Sequence, residues 1–97
     1  MNKTYFVYII TNKRNGTLYI GFSSGLRGRL YQHKNKMVDG FSKEHGLDRL
    51  VYYESTEDVN AAIAREKQLK KWKRQWKINA IEKFNPEWRD LYDDLED

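Results

Sequence analysis

Five side chains in this sequence have types and spacings that could do chemistry together. Arg29 and His33 lie four residues apart in a segment with helical periodicity, so they project side by side. Tyr8 and Tyr19 fall in neighbouring strand-like segments, and Glu66 lies far along the chain. A free tyrosine titrates near ~10, so a tyrosine acting as a base at neutral pH needs a neighbouring cation or proton acceptor. Arg29 and His33 would supply both, and with a lone carboxylate the set suits attack on a phosphodiester.

Each of the five also has an interpretation without chemistry. Taken alone, the two tyrosines are more typical of half-buried strand aromatics, and the arginine and histidine of a pair on a helix surface. Glu66 lies three residues from both Ile63 and Leu69, on what we predict to be the inward face of a helix. An ionised carboxylate there is costly unless it is paired or bound to a metal. Glu66 therefore forms either a buried salt bridge, with Arg29 as a candidate partner, or part of a metal or catalytic site.

A hairpin is predicted to position the tyrosines. Residues 5–10 are β-branched and aromatic throughout, which is typical of a central strand buried on both faces. Asn15-Gly16, between two apolar runs, predicts a hairpin to an antiparallel strand over residues 17–21. The sequence does not fix the register, so it leaves open whether the two tyrosines share a face.

Three helices and a third strand follow. The first helix is predicted over about residues 26–36, with Leu26, Leu30 and Met37 inward. A loop over residues 38–47 and a strand over 50–54 come next. A capping signature at Ser55 to Asp58 then predicts a helix over roughly 57–76 that faces inward through Val59, Ala62, Ile63 and Leu69. Asn85-Pro86 predicts a last short helix over about 86–95, so the order is β-β-α-β-α-α.

Length and charge limit the class of protein. The 97 residues suit one domain over 1–97, with a core at about 5–80. Residues 1–83 carry a net charge of +9 and residues 84–97 one of −5, so the body suits either a polyanionic partner or a well-solvated surface. There is no cysteine, which excludes disulfides and thiolate zinc sites. With no signal peptide or membrane span, we expect a cytoplasmic protein that does not enter membranes.

Trp72 and Trp76 lie four residues apart among many lysines. Aromatic rings in a positive groove can stack on nucleic-acid bases. Tryptophan in a small domain is more often part of the core, here against Trp88 or the last helix. The core interpretation is favoured.

Taken together, Phe6-Val7-Tyr8, Tyr19-Ile20-Gly21, Arg29, His33 and Glu66 resemble the GIY-YIG nuclease superfamily, also called the URI domain. The resemblance covers about residues 5–80. The remaining stretch is similar to stand-alone, single-domain bacterial members described as predicted endonucleases. Phe6 and Val7 replace the glycine and isoleucine of the first motif, and Phe22 stands where several members have lysine, which puts more weight on His33 as a proton acceptor.

The resemblance implies an α/β (α+β) fold with a three-stranded antiparallel sheet flanked by helices, and hydrolysis of DNA with one divalent metal ion, Mg²⁺ or Mn²⁺. By position, Glu66 would hold the metal, and Arg29 would bind the scissile phosphate. Tyr8 would activate water with His33 receiving or orienting its proton, and Tyr19 would contact the phosphate or a metal-bound water. The basic residues predicted to bind nucleic acid are Arg27, Lys34, Arg65, Lys70 and Lys73.

The leading hypothesis is therefore a metal-dependent DNA endonuclease, structure-selective or weakly sequence-specific, acting in DNA repair or processing on DNA that includes branched or flapped forms. The competing hypothesis is a nucleic-acid-binding module with little or no catalysis. A third is a domain that docks on a larger repair protein through the apolar face of the C-terminal helix. The sequence leaves open the natural substrate, DNA against RNA, and the oligomeric state.

Overall fold

The computed structural model describes residues 3–96, which are built around one three-stranded antiparallel sheet. Its strands are β1 (Tyr5–Thr11), β2 (Leu18–Ser23) and β3 (Arg49–Thr56), in the order β2-β1-β3. The predicted fold class is confirmed, and β1 is the central strand. Its last five residues are all buried, as a strand covered on both faces requires.

The turn between β1 and β2 explains the pairing of the two strands. Asn15 adopts a left-handed φ of 57°, and a Cβ at Gly16 would lie 2.1 Å from the side-chain oxygen of Asn12. It would also lie 2.9 Å from the backbone carbonyl of Lys13, so a side chain at the second position of the predicted Asn-Gly signal would shift the turn. The resulting register pairs Tyr8 with Gly21 and Ile10 with Tyr19. Directly paired residues point to the same side of an antiparallel sheet, so Tyr8 and Tyr19 share a face.

Each face of the sheet carries its own core. The odd-numbered residues of β1 pack under helices α3 and α4 in a cluster that contains Val7, Ile9, Ile20, Val51, Ala62, Leu69, Ile81 and Trp88. Helix α3 spans Val59–Lys71 and α4 spans Arg74–Phe84. The even-numbered residues pack under helix α1 (Leu26–Lys34) in a cluster that contains Tyr8, Ile10, Leu26, Leu30, Leu47, Leu50, Leu91 and Leu95. The tyrosines and α1 thus lie on the same side of the sheet.

The first predicted helix agrees with α1, apart from its end. Leu26 and Leu30 are fully buried, whereas Met37 is 63% exposed because the helix ends at Lys34. The segment predicted as a loop over 38–47 contains a further short helix, α2 (Phe41–Glu44). This single turn is too short to give a helical sequence pattern.

The single helix predicted over residues 57–76 is wrong, since α3 and α4 are separate helices. The cap lies within the predicted signature, but it is Asp58 and not a hydroxyl residue before the acids: Asp58 accepts hydrogen bonds from the amides of Asn60 and Ala61, and α3 begins at Val59. The chain leaves the helix at Trp72 and Lys73, which have extended backbones with ψ of 146° and 148°. The sequence has no glycine or proline there. The break is tertiary: the Trp72 ring packs against the core below α3, and α4 is tied to the β1–β2 turn.

That tie is made by Arg74. Its guanidinium donates to the carbonyls of Asn15 and Gly16, each at 2.7 Å.

The inward face of α3 also differs from the predicted one: Ala62 and Leu69 are buried, but Val59 and Ile63 are each 37% exposed.

The C-terminal helix predicted over 86–95 is wrong; only a 3₁₀ turn, Tyr92–Asp94, forms there. Asn85 is buried, and its side chain donates to the carbonyls of Val51 and Arg89 and accepts from the Arg89 amide at 3.1 Å. These side-chain bonds compete with a helix. Trp88 then turns through a left-handed φ of 56° and is fully buried.

The predicted apolar face of this segment is covered by the chain itself. Leu91 and Leu95 are each 7% exposed and pack in the cluster under α1, while the Leu91 amide donates to the Leu50 carbonyl at 2.8 Å. The docking hypothesis therefore loses the exposed helix on which it rested.

Among residues 3–96, no helix combines the length and the hydropathy that crossing a bilayer requires.

Candidate active site

A buried hydrogen-bonded chain links Tyr8, His33 and Ser42. The hydroxyl of Tyr8 lies 3.1 Å from Nε2 of His33, and Nδ1 of His33 lies 3.1 Å from Oγ of Ser42. All three are buried, with exposed fractions of 2%, 5% and 5%. The central strand, α1 and α2 each contribute one residue. Sequence reasoning missed Ser42, because α2 was not predicted and a single serine in a polar segment carries no signal.

The direction of these hydrogen bonds follows from electrostatics. Burial raises the pKa of Tyr8, and Tyr19 adds to the rise, so Tyr8 is a neutral phenol. Burial lowers the pKa of His33 below its ordinary 6.5, and the positive charge of Arg29 lowers it further. His33 is therefore a neutral imidazole that accepts from Tyr8 at Nε2. The tautomer then places the proton on Nδ1, which donates to Ser42.

His33 lies between the two tyrosine rings. Its ring centroid is 6.0 Å from that of Tyr8 and 5.9 Å from that of Tyr19, with both pairs edge to face. The ring of Tyr8 crosses β2 over Gly21: a Cβ at this position would lie 2.3 Å from Cζ and 2.4 Å from the hydroxyl of Tyr8. The glycine of the second motif is thus required by close approach of Tyr8.

Arg29 and Glu66 complete the cluster. The charge of Arg29 lowers the pKa of both Tyr8 and His33, and the charge of Glu66 raises that of Tyr8, which places both charges in the electrostatic surroundings of the phenol. The side chain of Glu66 is 20% exposed, and its carboxylate lies 3.4 Å from Nζ of Lys70. Of the two interpretations of Glu66, the salt bridge to Arg29 is not found among the described residues. Tyr8, Tyr19 and His33 are thus in direct proximity, and Arg29 and Glu66 act on Tyr8 through their charges.

The donor set limits which metals fit. Within residues 3–96, no three His, Cys, Asp or Glu side chains converge as a metal site made entirely from protein would need. Glu66 is a single, partly accessible carboxylate. That suits a hard cation such as Mg²⁺, which commonly takes one or two carboxylates and keeps several waters. The residues present fit such an ion and do not fit zinc.

The basic residues predicted to bind nucleic acid fall into two groups. Arg27 donates to the carbonyl of Leu95 at 3.0 Å and lies 4.9 Å from the ring centroid of Tyr92. Lys34 is bonded to the Asp48 carbonyl and forms an ion pair with Asp90. Both side chains hold the C-terminal segment against the rest of the domain. The ion pair of Lys34 also neutralises part of the negative charge of that segment.

Arg65, Lys70 and Lys73 form the second group, on and just after α3. Arg65 donates to both carboxylate oxygens of Glu54, at 2.8 and 3.1 Å. Burial alone would raise the pKa of Glu54, but the hydrogen bonds from Arg65 and Tyr52 outweigh it and hold that pKa below its usual value. Lys70 pairs with Glu66, and Lys73 is exposed beside Trp76.

A three-stranded antiparallel sheet flanked by helices is the architecture that the resemblance predicted. Residues 4–79 match the GIY-YIG catalytic domain family. The chain belongs to the GIY-YIG family, which is of nuclease type.

Its relatives are small UPF0213 proteins. It is 30% identical to the UPF0213 protein of Staphylococcus saprophyticus over 77 residues, which cover 79% of this chain and 93% of the relative. It is 31% identical to that of Staphylococcus epidermidis over 78 residues, or 80% of this chain and 94% of the relative. The solution NMR structure of a UPF0213 protein from Bacillus halodurans has the same fold: the TM-score is 0.56 at 19% identity, over 91% of this chain and 93% of that one.

Proposed function

We propose that this protein is a metal-dependent endonuclease that hydrolyses phosphodiester bonds in DNA. One observation carries the proposal: the hydroxyl of Tyr8 is bonded to the neutral, buried imidazole of His33, in the field of Arg29 and Glu66. Any buried phenol needs a hydrogen-bond acceptor, but here the acceptor is an imidazole, a group that can take up a proton near neutral pH. Membership of a family of nuclease type supports the same reaction class.

The proton of the attacking water is proposed to leave through Tyr8. The raised pKa of Tyr8 disfavours a free phenolate, so Tyr8 passes its own proton to Nε2 of His33 while it accepts one from water. The net result is hydroxide at the phosphorus and an imidazolium at His33. The hydroxide oxygen forms the new P–O bond, the bond to the leaving oxygen breaks, and that oxygen is protonated from solvent. His33 then returns its proton to solvent.

Arg29 is proposed to bind the scissile phosphate, because its planar guanidinium can donate to two oxygens at once. This contact also affects His33. In the free protein the charge of Arg29 lowers the pKa of His33. A bound phosphate brings a negative charge that offsets it, so the affinity of His33 for a proton increases when substrate is present. The base would therefore be strongest in the complex.

Glu66 is the residue that would hold the metal ion, Mg²⁺ or Mn²⁺. When bound, such an ion supplies a Lewis acid at the phosphoryl oxygens. In the free protein Lys70 lies 3.4 Å from the Glu66 carboxylate and acts as its counter-ion. We propose that Lys70 releases Glu66 and contacts DNA phosphate when the metal binds, with Tyr19 contacting the scissile phosphate.

The substrate is proposed to be DNA with branches or flaps, met in repair or processing. Of the basic side chains predicted to bind nucleic acid, Lys70 and Lys73 are exposed and suit phosphate contacts, whereas Arg65 is already paired with Glu54. Contacts to phosphate position a protein but carry no sequence information, so we expect weak sequence specificity.

The test is cleavage of plasmid, flap and branched DNA by the full chain, with Mg²⁺, Mn²⁺ or a chelator. Wild-type protein should cut at least one substrate only with metal. Glu66→Gln keeps the shape of the side chain and removes the charge, and should abolish cutting. Glu57→Gln, on the exposed cap of α3, is the matched control and should cut normally.

If wild type and Glu66→Gln are equally inactive on every substrate but both still bind DNA, the proposed nuclease activity is contradicted. A nucleic-acid-binding module is then favoured. Loss of DNA binding in both would contradict both functions.

A further inference from the structure

The corner between α3 and α4 exposes aromatic rings that the proposed active site does not use. Trp76 is 53% exposed and Phe84 48% exposed. Trp72 is partly buried against the core, and its ring lies edge to face with that of Trp76, with centroids 6.3 Å apart at 79°. The prediction that both tryptophans belong to the core is therefore wrong for Trp76.

These rings form a shallow surface with two adjoining depressions. One, of about 310 Å³, is lined by Trp72, Trp76, Asn79, Ala80 and Lys83. The other, of about 480 Å³, shares Trp72, Ala80 and Lys83 with the first and adds Tyr52, Arg65 and Phe84. We call this surface the aromatic corner.

Positive charge surrounds the aromatic corner. Nζ of Lys73 lies 6.0 Å from the ring centroid of Trp76, and the guanidinium of Arg65 lies 5.0 Å from that of Trp72. Residues 65–84 hold eight Lys or Arg against two Glu, a net charge of +6. An apolar protein partner would have to remove these cations from water, which is costly when they gain no partner. A nucleic-acid strand offers phosphates to the cations and base faces to the rings.

We propose that the aromatic corner binds unpaired bases of single-stranded DNA, with a base stacked on Trp76 and neighbouring phosphates at Lys73 and Lys83. The strand must be unpaired, because in a duplex both faces of each base are already stacked. The binding of bases rests on the proposed function only in taking DNA as the ligand, whereas the preference for a junction rests on the proposed nuclease itself.

The position of the corner specifies the substrate class of the active site. Arg65, at the edge of the corner, and Glu66, the proposed metal ligand, are consecutive on α3 and so project about 100° apart around the helix. A strand that leaves the corner at Arg65 would therefore reach the helix turn that carries Glu66. The favoured substrate is a junction between duplex and single strand.

The test measures binding of the full chain to a fluorescent oligo(dT) and to a duplex of the same length, in chelator so that cleavage does not interfere. Trp76→Ala should weaken oligo(dT) binding roughly 5- to 150-fold, the range for loss of one base–aromatic stack, and should change duplex binding much less. Trp76→Phe should restore most of the affinity. Tyr31→Ala removes an equally exposed ring, 55% exposed on α1, and should have no effect.

The proposal would be overturned if Trp76→Ala bound oligo(dT) with wild-type affinity. It would also be overturned if Trp76→Ala weakened the binding of oligo(dT) and of duplex equally, or if Tyr31→Ala weakened oligo(dT) binding as much as Trp76→Ala. Tighter binding of oligo(U) than of oligo(dT) would overturn the assignment to DNA. Because cleavage is not measured, these outcomes are separate from those for Glu66→Gln. If the chain binds oligo(dT) through Trp76 but never cuts DNA, the proposed role of the aromatic corner is supported and the proposed nuclease activity is contradicted.

Discussion

The phenolic oxygen of Tyr8, on the central strand, lies 3.1 Å from Nε2 of His33 on helix α1, inside a core where both side chains are almost fully buried. This pair explains why a tyrosine with a raised pKa could still move a proton, because its acceptor is already in place.

Ser42 is expected to fix the tautomer of His33. In Ser42→Ala the Nδ1–H of His33 loses its buried acceptor, which costs about 1–3 kcal/mol of stability and releases the preference for that tautomer. The proton should then shift toward Nε2, where it blocks acceptance from Tyr8, and cleavage should fall roughly tenfold or more. Nitrogen chemical shifts of His33 report the tautomer directly. Ser55→Ala, at an exposed position of β3, is the control; an unchanged tautomer in Ser42→Ala would contradict this role.

Gly21 is expected to be required for the position of the Tyr8 ring. A methyl group at this residue would lie 2.3 Å from Cζ of Tyr8, so Gly21→Ala must displace the ring from His33. We expect a loss of about 1–3 kcal/mol in the free energy of unfolding, by denaturant titration, together with loss of cleavage. Gly28→Ala is the matched control: it lies in α1 with no atom within 4 Å of the added methyl. That change should stabilise by up to ~1 kcal/mol, and similar effects of the two changes would refute the close-contact argument.

The pH dependence should report a His33 that resists protonation. Its pKa lies below 6.5 in the free protein because of burial and then Arg29. Neutral His33 is the active form, so the acid limb of the kcat/KM profile, which reports the free protein, should lie below 6.5. The same group should favour the folded state fully above 6.5, and this contribution should be lost as pH falls through the folded pKa. An NMR titration of His33 measures this value; a pKa above 6.5 without DNA would contradict the account.

Asn85 is expected to be a major stabilising residue of the C-terminal segment. Asn85→Ala removes three hydrogen bonds, leaves the Val51 carbonyl without this donor, and frees the turn that buries Trp88. The free energy of unfolding should fall by about 2–4 kcal/mol, measured by denaturant titration. Asn79→Ala on the exposed face of α4 removes one surface bond to Gln75 and should cost under about 0.5 kcal/mol. Equal effects would show that the buried bonds of Asn85 contribute nothing special.

Local sequence signals predicted the hairpin, the three strands, the start of α1 and the cap of α3. They succeeded where a short local signal marks a turn or a helix start, as at Asn15-Gly16 and within Ser55 to Asp58. The resemblance to the GIY-YIG superfamily also predicted joint roles for Tyr8 and His33, and the two side chains are in hydrogen-bond contact. The predictions failed where contacts distant in sequence decide, since the break at Trp72 depends on core packing and on Arg74 reaching the hairpin.

The same distinction explains the errors near the C-terminus and at the site. The pair Asn85-Pro86 is typical of a helix start, but the Asn85 side chain donates to the Val51 carbonyl of β3, 34 residues earlier in the chain. Ser42 could not be chosen over other serines, because only the fold places it against His33. Trp76 was predicted to be core because tryptophan usually is, and its exposure depends on how α4 turns away from α3.

The most direct measurement is single-turnover cleavage by Tyr8→Phe compared with wild type, on a substrate that wild type cuts. The change keeps the ring over Gly21 and removes only the oxygen that is bonded to His33. We predict a rate roughly 10²- to 10⁴-fold lower, the usual contribution of a positioned acid–base group, with unchanged DNA affinity in chelator. A Tyr8→Phe protein that binds DNA and cuts it at the wild-type rate would contradict the account.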